Sequence, residues 1–168
     1  SGVLPLSAGL IFFKEERISG LRPSEICRRG VARTFQATTL FREYTLLQNL
    51  LVAAHLRAVD GLWPALVASA AYRRKEREVM ARAQDLLASL GLGEMTQAGR
   101  PAAELPHRNQ KALSIAMVLA TGAELVLLDE PLAGLSTQER DEMLGALRRL
   151  RERGLTILLV EHDMRAVM

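Results

Sequence analysis

Two uninterrupted apolar runs, LVLL at 125–128 and TILLV at 156–160, stand apart from the mixed pattern of the rest of the chain. Runs of this kind predict parallel strands covered on both faces. Between them Ser136 and Glu139 have the spacing of a capping box, and Met143, Leu144, Leu147 and Leu150 then recur on one helical face as far as Gly154. Strand, helix, strand in so short a space predicts a right-handed βαβ crossover.

Upstream the signals are shorter. GLIFF (9–13) reads as a strand end, PSEICRRG as a short helix from Pro23 to Gly30, and VARTFQ (31–36) as a strand. Thr45 and Gln48 form another capping-box pair before LLQNLLVAAHL. After a break at Trp63–Pro64, a long helix is expected from Tyr72 to Leu90. It carries Val79, Ala83, Leu86, Leu87 and Leu90 inward and has Gly91 just past its end. A further helix follows Pro106, with Leu113, Ala116, Met117 and Ala120 inward. The sum is an α/β protein: a parallel core into which a helical lobe, residues 42–104, is inserted. Residues 1–41 form the first piece of that core and residues 105–168 the second.

Composition narrows the class without naming it. The 168 residues are enough for one domain with a lobe, and 49% hydrophobic content fits a globular chain. Aromatics at 4% argue against an all-β sandwich. The net charge of +3 comes from arginines interleaved with glutamates (RRKERE, RRLRERG), which is how solvated helix faces look, so nucleic-acid binding is not demanded. Cys27 has no second cysteine to pair with, which suits a reducing compartment. The start, SGVLPLSAGLIFF, is apolar but has no basic leader and contains Pro5, so it does not read as a signal peptide. GLWPALVASAAY is too short to span a bilayer.

The chemistry gathers where the apolar runs end. LVLLDEP delivers Asp129 and Glu130, and TILLVEHD delivers Glu161, His162 and Asp163. Ligands of open parallel sheets sit beyond the carboxyl ends of the strands, so both clusters fall at one edge. A carboxylate pair alone can be no more than a strand entering solvent, and a single histidine is usually structural. Together, two carboxylates and an imidazole suit activation of water beside a metal-bound phosphate. Asp129 would hold Mg2+, Glu130 would polarise the water, and His162 would contact the terminal phosphate.

Several ordered segments resemble the ATP-binding subunits of ABC transporters: RTFQ (33–36), LVLLDEP, AGLS (133–136) and LLVEHDM (158–164). The stretch ISGLRPSEICRRGVARTFQATTLFREYTLLQNLLVAAH and the EHDMRAVM ending look most like the ATPase of bacterial branched-chain amino-acid importers. The resemblance spans the chain and implies a partial P-loop NTPase-type parallel sheet with an inserted α-helical subdomain. It implies ATP and Mg2+ as cofactors. Gln36 would touch the metal or the water, with Asp129 as metal-site acid, Glu130 as catalytic base and His162 as switch. Ser136 would lie on the loop crossing a dimer interface, where the family commonly has Asp or Asn. It further implies a membrane permease docked on the helical lobe and the Gln36 loop, a second ATP-binding subunit, and a peripheral place on the cytoplasmic face of the bacterial inner membrane.

Two departures accompany the match. The family's phosphate loop, G-x-x-G-x-G-K-[ST], is not in the chain: Lys14, Lys75 and Lys111 follow Phe13, Arg74 and Gln110, so there is no Gly-Lys pair. The expectation is a chain that starts just past that loop and stops before the family's last strands, binding ATP poorly by itself. The second departure is LPHRNQ (105–110), where the family has L-S-x-G-Q. Pro106 takes the serine place and removes a hydroxyl and an amide donor, at about 1.5–3 kcal/mol for a bond to a charged group. Arg108 takes the glycine place and adds bulk. His107 and Arg108 are then the residues left to face a partner's ATP. The first expectation is therefore the distal part of a transport ATPase. Alternatives are a non-catalytic docking or dimerisation module and, last, an ABC-type ATPase acting on nucleic acid.

Overall fold

The computed structural model describes residues 2, 4, 6–34, 40–58, 70–95 and 99–162. The Trp63–Pro64 break, Gln36 and the end of the chain from Asp163 lie outside the described residues.

The chain opens with a small antiparallel hairpin, β1 (Phe12–Phe13) and β2 (Glu16–Arg17). Lys14 and Glu15 both have positive φ, as a two-residue turn matching the right-handed strand twist requires. Helix α1 (Pro23–Arg28) starts on its proline, where the missing N–H costs nothing, and ends before Gly30 at φ +95°. Strand β3 spans Val31–Arg33, Thr34 still donates its N–H to Leu127 O at 2.9 Å, and residues 35 and 36 of the expected strand lie outside the described residues.

Helix α2 (Leu46–Ala58) is capped reciprocally: Thr45 N–H donates to Gln48 Oε1 at 2.9 Å and Gln48 N–H to Thr45 Oγ1 at 3.3 Å. Asn49, fully buried, donates its amide to the carbonyls of Phe41, Tyr44 and Thr45 and accepts from Phe41 N–H. That satisfied amide fixes the segment leading into the helix. Helix α3 (Ala70–Ser89) carries Ala83, Leu87 and the following Leu90 into the core. It closes with Gly91 at φ +76°, and Leu92 N–H bonds back to Leu87 O at 2.8 Å.

After a 3-10 turn (Ala102–Glu104) comes α4 (His107–Ala120), with Pro106 as its N-cap. Its inward face is broader than the period predicts: Ala112, Leu113, Ile115, Ala116 and Leu119 are buried, while Met117 and Ala120 are half-buried against the same core. Strand β4 (Leu125–Asp129), helix α5 (Thr137–Glu152) and strand β5 (Thr156–Val160) complete the βαβ unit. The cap of α5 is the expected box, Glu139 N–H donating to Ser136 Oγ and Ser136 N–H to Glu139 Oε2.

The sheet order is β3-β4-β5, parallel throughout, with Val31 opposite Leu125 and Leu125 opposite Thr156. Paired residues of a parallel ladder share a face. Val126 and Leu128 face the helices, in one core with Leu46, Leu50, Leu87, Leu113 and Met143. Val31, Leu125 and Leu127 face the other way, against Ile18 and Ile26. One expectation fails here: β5 is not covered on both faces. Leu158 is 52% exposed and Val160 48%, because β5 is an edge strand of the described sheet and no described element covers that face. No helix among the described residues is long and apolar enough to cross a membrane.

Candidate functional site at the carboxyl ends of the strands

Both acidic clusters leave the sheet at the same edge. Val160, the last residue of β5, pairs with Asp129, the last of β4, so the residues that follow emerge side by side. Glu130 N–H donates to Val160 O at 2.9 Å, which carries the pairing one residue past the strand. Beyond it, Glu130 Oε1 lies 2.7 Å from His162 Nε2, with the His162 side chain 82% exposed.

Glu130 has φ +49°, a left-handed conformation that costs a non-glycine residue about 1–3 kcal/mol. Neighbouring bonds hold it there. Besides the bond to Val160, the Glu130 carbonyl accepts from Lys111 Nζ at 3.0 Å and from Ala133 N–H at 3.2 Å. Lys111 reaches up from α4. Burial pushes its ammonium below the usual lysine range, and the carboxylates of Glu161 and Glu130 act in the opposite sense. Glu161 in turn accepts from Leu132 N–H at 2.8 Å, fastening the loop after β4 to the end of β5.

An open cavity of about 240 Å³ sits on this edge, lined by Glu130, Ala133, Gly134, Arg140, Glu161 and His162. Arg140 Nε is fixed by Leu135 O at 3.0 Å. The cavity therefore brings two carboxylates, an imidazole and a guanidinium to one opening.

Asp129 stands on the other face of the ladder. Its N–H donates to Thr34 Oγ1 at 3.2 Å, and its Oδ2 accepts from Arg33 Nη2 at 2.6 Å. No group of three His, Cys, Asp or Glu side chains is gathered for a metal among the described residues. Magnesium usually takes one or two carboxylates and completes its shell with water and substrate phosphates. The donors here fit a magnesium brought by a phosphate ligand, not one caged by protein.

The remaining sequence candidates fall in different surroundings. Ser136 Oγ donates to Glu139 Oε2 at 2.8 Å and is committed to capping α5. Bonds from the Ser136 backbone and hydroxyl hold the Glu139 carboxyl below the ordinary glutamate range. His107 is exposed at the start of α4 and packs on the 133–136 loop: a Cβ on Gly134, at φ +74°, would meet His107 Cε1 at 3.3 Å. Arg108 turns inward. Its side chain is 15% exposed, Nη2 pairs with Glu142 at 3.3 Å, and the guanidinium lies against Gly91. Its Nε is buried without a hydrogen-bond partner. Glu130 and His162 thus meet at the cavity, while Asp129, His107, Arg108 and Ser136 are not among the residues that line it. Glu161 was read from sequence only as a member of the second charged cluster, and Lys111, Arg33 and Arg140 were given no role. Only the helical spacing of Lys111 from His107 hinted that both could face the loop after β4.

A family model for the ABC transporter matches residues 1–133. The high-affinity branched-chain amino acid transport ATP-binding protein LivG of Salmonella typhimurium is 42% identical over 171 residues, covering 100% of this chain and 66% of LivG. BraF of Pseudomonas aeruginosa, of the same description, is 40% identical over 169 residues with the same coverage. The chain thus spans 66% of the length of these relatives. Among solved structures, the ADP conformation of an ATP-binding cassette of an ABC transporter superposes with a TM-score of 0.79 at 25% identity, over 99% of this chain and 64% of that one. A nucleotide-free ATP-binding cassette gives 0.78 at 27% identity, over the same shares. The matched family model extends through β4 and the loop carrying Glu130, and on that ground the chain belongs to the ABC transporter family.

Proposed function

We propose that the chain is the distal part of an ATP-hydrolysing subunit that powers a branched-chain amino-acid importer. The observation that carries the reading is the 2.7 Å approach of Glu130 Oε1 to His162 Nε2 beyond two parallel strands, on the wall of an open cavity. In this reading Glu130 accepts a proton from the attacking water as it bonds to the terminal phosphorus, whose bond to the bridging oxygen breaks to release ADP. His162 holds both that phosphate and the Glu130 carboxylate in place. Asp129, with Gln36, would hold Mg2+, which supplies charge neutralisation of the phosphates when bound. Arg33, which pairs with Asp129 at 2.6 Å, would have to release that carboxylate for it to hold a metal. Ser136 and His107 would lie toward a second ATP-binding subunit. Arg108, paired with Glu142, supports the start of α4 in this reading. The helical lobe, residues 42–104, with the Gln36 loop would dock a membrane permease from the cytoplasmic side. The similarity to LivG and BraF supports the substrate class.

The test is ATP hydrolysis by the complete subunit in its permease complex. Glu130→Gln should reduce turnover by about 100-fold or more, and undiminished turnover would refute the assignment. A second reading, a non-catalytic docking module, is favoured by Pro106 and by the inward commitment of Arg108. Amino-acid uptake that persists with Glu130→Gln would select it.

A further inference from the structure

Glu130 brings its carboxylate to His162 from a backbone at φ +49°, a conformation that strains a side-chain-bearing residue. Two of its restraints are backbone groups, Val160 O and Ala133 N–H, which belong to the sheet edge and to the loop itself. A third comes from another layer of the fold. Lys111 lies on α4, and its ammonium crosses to the Glu130 carbonyl at 3.0 Å. The bond is part-buried, so water competes for it less than at the surface.

We propose that Lys111 is a positioning residue for the hydrolytic step: by bonding the Glu130 carbonyl it fixes the left-handed backbone that aims the Glu130 carboxylate at His162. The proposal rests on the reading of Glu130 as the group that takes the proton from water. Lys111 does not touch the reacting atoms; it acts through Glu130. Ala112, Leu113, Ile115 and Ala116 anchor the same turns of α4 in the core, so the base of the Lys111 side chain is fixed. A carbonyl held on both sides leaves the carboxylate few alternative directions. Misplacement of a reacting group by about 1 Å can cost a hundredfold in rate.

The test uses the complete subunit in its permease complex, with kcat and KM for ATP, thermal melting, and the variants Lys111→Met, Lys111→Arg, Glu130→Gln and Lys111→Met with Glu130→Gln. Lys111→Met should lower kcat roughly 10- to 100-fold, with KM and melting temperature little changed. Lys111→Arg, which keeps a donor, should retain most of the rate. On the Glu130→Gln background, Lys111→Met should lower the residual rate no further, because the group it positions is already lost. Should Lys111→Met fold poorly, Lys111→Ala, which likewise has no donor, carries the same comparison. Full turnover in Lys111→Met, with turnover lost in Glu130→Gln, overturns the positioning role and leaves the reading of Glu130 intact. The same follows if arginine fails as badly as methionine, or if the two lesions multiply. Undiminished turnover in Glu130→Gln overturns the reading and the proposal together.

Discussion

Arg33 Nη2 lies 2.6 Å from Asp129 Oδ2, joining neighbouring strands of the parallel ladder on the face turned away from the helical core. The Asp129 side chain is only 18% exposed, so the pair is worth more than a surface contact. Arg33→Met should lower the unfolding free energy by about 1–2 kcal/mol, and Asp129→Asn on that background should cost little more. A denaturant double-mutant cycle measures the coupling; additive losses would mean the two side chains are independent.

The backbone of Glu130 sets stability against chemistry. Glu130→Gly and Glu130→Ala both remove the carboxylate, but only glycine relaxes at φ +49°. Glycine should therefore give the more stable protein by about 1 kcal/mol, the reverse of the usual order. Urea midpoints of the two variants check this, and an alanine variant of equal or greater stability would contradict the strain.

Gly134 meets two restraints at once, φ +74° and the 3.3 Å approach to His107 Cε1. Gly134→Ala should destabilise by about 1–2 kcal/mol. In a His107→Ala background the steric part disappears and the conformational part remains, so the loss should shrink without vanishing. An unchanged loss would show that His107 yields freely.

The cap of α5 carries a pH dependence. The Glu139 carboxyl is held below its ordinary range by hydrogen bonds from Ser136. A depressed folded-state value means the contribution is fully present above the unfolded glutamate value and is lost as pH falls through the folded one. Glu139→Gln should flatten that acid-side slope while leaving the slope above neutrality alone. Melting temperatures across the acid range read it directly, and an unaltered slope would remove Glu139 as the source.

Much of the fold was legible because its signals are local. Ser136 with Glu139, Thr45 with Gln48, Pro23 and Gly91 each sit where their spacing predicts, since a cap needs only its own helical turn. The edge carrying Glu130 and His162 was also readable, from two apolar runs ending in charged residues. What sequence did not reveal is long-range. Arg33 and Asp129 are 96 positions apart, Lys111 and Glu130 19 apart, and no periodicity links them. Arg108 was read by the motif place it occupies, whereas packing against Gly91 and Glu142 decides where it goes. The open face of β5 was missed because an apolar run reports what a strand could bury, not what lies over it.

That open face has a practical consequence. Leu158 and Val160 present bare hydrocarbon, and the outer rim of β5 has no neighbouring strand among the described residues. Such a rim invites sheet extension between molecules. Solutions of the 168-residue polypeptide alone should thus turn turbid with rising concentration, and a charged substitution at Val160 should delay the clouding.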